Sequence, residues 1–250
     1  MTLQAFQISL QSRFNALFFI LGKILRFGLV LLFIIIIGSQ TRLIAGYDIW
    51  QLVFFFATFN LIDVMVQFFL RQVYFFRPLI INGRFDYLLL SPISPLFRSL
   101  LGRADILDAP ILGLAIVLLI FSGLKIGQIE LISMLSFMAL VLNAFLIALS
   151  FHILVLSLGV VTTVVDNALW LYRDLSQMAR IPVDIYREPL RAFLTFVIPI
   201  GIMITFPAKA LMGLLSPAFI IFSFVIGILS ISLSLIIWRE ALKRYSSASS

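Results

Sequence analysis

Apolar residues run along this chain in blocks of about twenty, divided by short polar stretches. A helix rises 1.5 Å per residue, so roughly 20 apolar residues cross the ~30 Å hydrocarbon core of a bilayer. Four blocks fit directly: Ala16–Gly38, Ile49–Leu70, Ala104–Ser122 and Ser216–Trp238. Ahead of the first, Leu3, Phe6, Leu10, Phe14 and Leu17 recur at helical spacing, with Gln4, Gln7, Gln11 and Ser12 opposite them. Residues 1–14 therefore read as a helix lying in the membrane interface before the chain dives. Ser39–Asp48 is a short polar loop, with Tyr47 and Trp50 as aromatic anchors at its edge. Gly123–Glu130 is a second tight loop, whereas Arg71–Arg103 is longer and is broken into short pieces by Pro78, Pro92 and Pro95.

Between Leu131 and Ala208 the pattern admits two readings. Leu131–Val165 has no charged residue over 35 positions, which would make a helix of roughly 50 Å. Asp166–Arg191 then carries four arginines and four acids, and Ala192–Pro207 is apolar again but interrupted by Pro199. One reading keeps a single overlong helix, leaves Asp166–Arg191 in the cytosol and makes Ala192–Ala208 the fifth span. The other turns the chain near Ser157–Gly159 and sends a polar fifth span through Val160–Ile181. It leaves residues 182–213 as an external re-entrant segment. Hydropathy does not separate them.

Composition fixes the class. Of the 250 residues 62% are hydrophobic and only 12% charged, with a mean hydropathy of +1.17. Soluble domains carry about 25% charge, so this chain has too little polar surface to cover a globule in water. The fold class is all-α: a polytopic membrane protein of six transmembrane helices, read as one transmembrane domain over residues 1–250. The net charge of +7 reads as topology signals rather than nucleic-acid binding. Eleven of the eighteen basic residues lie on the N-terminal side (Arg13, Lys23 and Arg26), in the 71–103 loop or in the tail after Trp238. By the positive-inside rule those three regions, both termini among them, are cytosolic, which requires an even number of spans. No cleavable signal peptide is evident at the N-terminus.

The same composition narrows the chemistry. With no Cys and one His, His152, there is little from which to build a metal centre, a thiol nucleophile or a proton relay. No catalytic or metal-ligating residue is expected. No Gly-x-x-x-x-Gly-Lys-Ser/Thr run occurs, so nucleotide phosphates have no conventional cradle. Asp63 is the one acid within span two, and burying a lone carboxylate costs about 2.5–3.5 kcal/mol on insertion scales. It reads either as a pathway or inter-subunit group or as a packing contact with Asn60 or Gln67. Asp166, Asn167, Arg173 and Asp174 are open in the same way between pathway lining and an interfacial ion cluster. Ser223, Gly227, Ser230 and Ser234 share one face of the last span, as close helix packing requires. The phenylalanines of span two (Phe54, Phe55, Phe56, Phe59, Phe68 and Phe69) read mostly as lipid contacts.

The 71–103 loop holds the most specific pattern. Gly83 punctuates it, the following residues make two helical turns, and Pro92 ends them. Phe85, Leu88, Leu89 and Pro92 would form an apolar face, with Arg84, Asp86 and Ser91 around it. Such a helix suits either the headgroup layer or a groove on a soluble partner.

The run Gly83-Arg84-Phe85-Asp86-Tyr87-Leu88-Leu89-Leu90-Ser91-Pro92 resembles the coupling-helix segment of type-2 exporter permeases of ABC transporters. Downstream, Ile181-Pro182-Val183-Asp184-Ile185-Tyr186, then Ile198-Pro199 and Pro207-Ala208, are similar to the proline-tyrosine-proline pattern that precedes their last span. Tyr172-Arg173-Asp174 also looks like a signature found near the cytosolic start of span five. It departs from that pattern in standing only eight residues before Pro182. The order of features follows the family over nearly the whole chain. The resemblance implies the second topology, with Pro182, Tyr186, Pro199 and Pro207 in an external re-entrant segment. It further implies an exporter in the bacterial inner membrane, built with a second permease subunit and separate ABC ATPase subunits. ATP and magnesium would be bound by those subunits, not by this chain. Partners would thus be permease, ATPase and membrane lipid, not nucleic acid. A secondary transporter and a non-transporting scaffold are the competing classes; no convincing internal repeat favours the first, and only Asp63 is a clear candidate for proton coupling.

Overall fold

The computed structural model of the protein describes residues 13–41, 43–102, 106–162 and 165–246. Residues 1–12, which hold most of the expected interfacial helix, lie outside the described residues, as do the loop cations Arg42 and Arg103. Regular structure among the described residues is helical, apart from one isolated bridge between Ile44 and Tyr47.

Helix α1 spans Arg13–Gln40 and leaves most of its apolar surface exposed, as a helix facing lipid does. Helix α2 begins at Ile49 under a capping box. The Asp48 carboxylate accepts from the backbone N–H groups of Trp50 and Gln51, while Gln51 Oε1 accepts from Asp48 N. The rod continues past Leu70 through a 3-10 stretch, Arg71–Phe75, and ends at Ile81, covering 33 residues. It is the central element, packed by α1 and by the later helices α5 (Ala109–Ile126) and α6 (Leu131–Thr162). That position corrects the reading of its phenylalanines. Phe54, Phe55, Phe56 and Phe59 are buried, and of the six only Phe69 is exposed to any large extent. Continuous hydrophobicity cannot distinguish a lipid-facing helix from one enclosed by others.

After α2 come two six-residue helices, α3 (Arg84–Leu89) and α4 (Pro95–Leu100). Helix α6 then runs unbroken for 32 residues, so the turn expected near Ser157–Gly159 does not exist. Gly159 is there for packing. A Cβ on it would meet Val165 Cγ2 at 2.5 Å and the Phe76 ring at 3.2 Å. A lone glycine in a helical run carries the same sequence signal whether it serves a turn or a close approach.

Helix α7 (Asp166–Gln177) follows, extended by 3-10 turns at Met178–Arg180 and Val183–Ile185. Its two ends locate it. Asp166 pairs with Arg77 near the end of α2 at 2.8 Å, and Asp184 accepts from Tyr47 Oη, just before the start of α2, at 2.7 Å. Residues 166–184 thus run antiparallel to α2 over its full length, and Leu169, Tyr172, Ser176, Ala179 and Val183 form the buried stripe. A polar stretch, hereafter the polar traverse, lies alongside α2 and starts at Asp166 rather than at Val160.

Helices α8 (Leu190–Val197) and α9 (Gly201–Leu211) are bent against each other by 78°. The break falls at Ile198-Pro199, where Ile198 is extended, as a residue preceding proline must be. Arg191 on the first limb and Lys209 on the second both reach the Asp184 carboxylate, at 2.7 and 3.2 Å. The bent pair therefore starts and finishes at the same level. Helix α10 (Pro217–Lys243) closes the fold along α6. Ser223, Gly227 and Ser234 are buried in that contact, and Asn143 Nδ2 donates to the Ser223 carbonyl at 2.8 Å beside Gly227. Lipid tails are as apolar as the helices themselves, so such small-residue contacts and inter-helix hydrogen bonds supply the attraction.

Candidate functional site

Two places concentrate polar and aromatic chemistry. The first is the turn after α2. Gly83 takes φ +65°, a left-handed conformation that suits glycine, and reverses the chain into α3. Phe85 then points inward and is wholly buried among the rings of Phe76, Tyr245 and Trp238, at centroid distances of 5.3, 5.1 and 6.4 Å. Asp86 accepts from Tyr245 Oη at 2.9 Å. Burial and the Asp86 carboxylate push the Tyr245 phenol up to about 12. Ser91 Oγ donates to the Leu88 carbonyl at 2.8 Å and closes the turn before Pro92.

The exposed face is not the expected one. Phe85, placed outward by periodicity, is the anchor, and Leu88 is half-buried against the core. Tyr87 and Leu90 are 74% and 84% exposed, joined by Leu89, Ile93 and Phe97. Arg84 and Pro92 are also exposed. Over six residues both faces of the helix are apolar, so the pattern could not say which one turns inward.

The second place is a cavity of about 600 Å³ between α1, α2, the start of α5 and the polar traverse. Lys23 and Arg26 reach it from α1, Asp63 and Arg71 from α2, and Arg173 and Arg180 from the traverse. Asp108 lies at the mouth of α5 and is paired with Lys23. Arg26 donates to Gln177 Oε1 at 3.3 Å, and Arg71 to Gln67 Oε1 at 3.0 Å. The Arg173 and Arg180 guanidiniums lie over the rings of Trp170 and Phe59, at 5.3 and 5.8 Å from the centroids.

Of the pathway candidates, Asp63 and Arg173 meet in this cavity. Asp166 is engaged by Arg77, while Asn167 and Asp174 are exposed on α7 away from its buried stripe. Lys23, Arg26 and Arg180 were missed as cavity residues. Their signal was visible, since each is a cation within or beside an apolar run. His152 is a core residue, with Nδ1 2.8 Å from the Ala148 carbonyl and its ring edge-on to Tyr172.

Pro182 lies near the end of the traverse, Tyr186 just beyond it, Pro199 at the break between α8 and α9, and Pro207 within α9. Tyr186 Oη donates to the Met178 carbonyl at 2.8 Å, and Pro207 sits in the first turn of the helix that closes α9. Burial raises the Tyr186 phenol above its ordinary value, and burial with the Asp184 bond does the same for Tyr47.

A profile of the family described as ABC-2 family transporter protein matches residues 24–249. No match to a curated protein or to a solved structure was found.

Proposed function

This chain belongs to the ABC-2 family of transporter proteins, a membrane-embedded permease component of an ABC transporter, and from that premise we propose that it works as a force-receiving half of an exporter. Two permeases, identical or related, would pack side by side, with ABC ATPase subunits docked beneath them. ATP and magnesium would act on those subunits. Both termini and α3 would face the cytosol of a bacterial inner membrane, and α8–α9 would form a re-entrant element on the outer side.

The observation that carries this reading is the anchoring of α3. Its inner residue, Phe85, wedges against Phe76 on the α2 rod and Trp238 on α10, so a push on α3 is delivered to two long helices. Its outer face offers Tyr87, Leu89 and Leu90 to a partner groove. Displacing α2 would move Phe59 and Asp63, which line the cavity. The pairing of permeases is supported by α7, where Asn167 and Asp174 are exposed alongside Trp170 and Leu171. A carboxylate at membrane depth costs about 2.5–3.5 kcal/mol against lipid, and a second subunit would cover it.

The test is co-purification with the ATPase. Introducing Tyr87→Asp and Leu90→Asp together should reduce ATPase recovery at least about tenfold, because burying a charge in an apolar contact costs more than 1.4 kcal/mol. Membrane insertion and expression should not change. Undiminished recovery would remove α3 from the interface.

A further inference from the structure

We propose that the cavity between α1, α2 and the polar traverse is the acceptor site for an anionic amphiphile, a phosphate- or carboxylate-bearing head on an apolar chain. This deepens the permease reading and rests on it. Once Lys23 is matched with Asp108, four guanidiniums, those of Arg26, Arg71, Arg173 and Arg180, share the cavity with a single carboxylate, Asp63. Among the described residues neither Arg173 nor Arg180 has a carboxylate within ion-pair distance. Their guanidiniums rest on aromatic faces instead. Cations held at membrane depth without counter-charge are costly, and such residues mark ligand pathways. An anion entering between them would supply the missing charge, and guanidiniums bind phosphate and carboxylate through paired N–H donors.

The remaining wall sets the rest of the ligand. Phe18, Phe19, Phe27 and Phe56 line the same space, and its volume lies within the roughly 300–1,000 Å³ of ordinary ligand pockets. Phe18 and Phe19 are also exposed on the outer surface of α1, so the cavity opens sideways where a lipid tail would lie. A small hydrated anion would use the cations and leave this apolar mouth without purpose. A lipid-like molecule uses both. The charged end lies toward the C-terminal half of α2, which the positive-inside rule puts in the cytosolic leaflet, so cargo would enter from that leaflet.

Trp170 stands at this cavity and reports on it. In the full chain carrying Trp50→Phe and Trp238→Phe, Trp170 is the sole indole. Reconstituted in phosphatidylcholine vesicles, its fluorescence should be quenched by brominated phosphatidylglycerol at a mole fraction roughly tenfold lower than by brominated phosphatidylcholine. That ratio follows from the attraction per basic side chain for anionic lipid. Arg173→Gln with Arg180→Gln should erase the preference, while Arg173→Lys with Arg180→Lys should retain it, which separates charge from misfolding. Equal quenching by the two lipids, or a preference that survives the glutamine pair, overturns the proposal. Sodium phosphate, at ionic strength matched with sodium chloride, should leave the quenching unchanged. If it releases the lipid effect, the site takes a soluble anion and the lipid assignment falls. No ATPase enters this assay, so its failure leaves the α3 docking result standing, and the reverse also holds.

Discussion

Phe85 and Tyr245 show how single side chains fix the position of a six-residue helix. A helix that short is not stable alone, since nucleation costs more than one turn of hydrogen bonds returns. Its position depends on what holds it, here the ring cluster inside and the Tyr245–Asp86 hydrogen bond at its flank. The phenol donates that bond only while protonated. Its folded value, about 12, lies above the ordinary 10.0. The native state therefore binds this proton more tightly, and the tie is fully present below pH 10.0. It is lost as pH rises from there toward about 12. An ultraviolet pH titration of the wild type against Tyr245→Phe should show the missing phenol to be one that ionises later than free tyrosine. A difference spectrum centred on the ordinary value would mean that the tail does not grip α3.

The elements differ in how much of them the residues betrayed. Helices α1, α5 and α10 are apolar, long and bounded by polar loops, so length and composition suffice to place them within about five residues. The Asp48 cap fixes the start of α2, whose rod runs on past the expected Leu70 to Ile81. The turn after α6 was misplaced because Gly159, the only glycine in that run, serves a contact with Phe76. The traverse at 166–184 was hardest to read, because its helical half alternates buried Leu169 and Tyr172 with exposed Asn167 and Asp174 and resembles a surface helix. In the cavity, Asp63 and Arg173 were legible because an ionisable group in an apolar block needs a reason. Their meeting with Arg26 and Arg180 depends on three elements coming together, which spacing along one chain does not encode. Asp184 is the element-level counterpart of this problem, a single carboxylate holding the loop before α2 and both limbs of the bent pair. Asp184→Asn would leave Arg191 and Lys209 without their counter-ion. Charge-assisted hydrogen bonds contribute about 1.5–3 kcal/mol each, less where one partner is exposed, so opening of α8–α9 should become roughly tenfold more frequent. Hydrogen exchange should accelerate across 190–211 and not in α5. Uniform protection in the variant would show that the bent pair is held by its apolar packing on α6 alone.

Which side of the bilayer Arg187 occupies decides the topology of the whole chain. If residues 166–184 cross the membrane antiparallel to α2, Arg187 lies beyond the Tyr47 end and faces outward, with the termini and α3 on the opposite side. If that stretch stayed in the cytosol, Arg187 would share the compartment of Ser91 and the basic tail. Charge counting alone prefers the second arrangement, since it keeps Arg173, Arg180, Arg187 and Arg191 inside. The geometry favours the first, because one end of the stretch is tied to Arg77 and the other to Tyr47, at opposite ends of a 33-residue rod. Such a polar crossing is tolerable only where its charges face protein or a cavity, and Arg173 and Arg180 do so. The chain contains no cysteine, so single cysteines placed at exposed Arg187 and half-exposed Ser91 report cleanly. Arg187→Cys should react with an impermeant maleimide in intact cells, and Ser91→Cys only after the membrane is opened. Labelling of both from one side would remove the polar crossing, and with it the wall that brings Arg173 and Arg180 to Asp63.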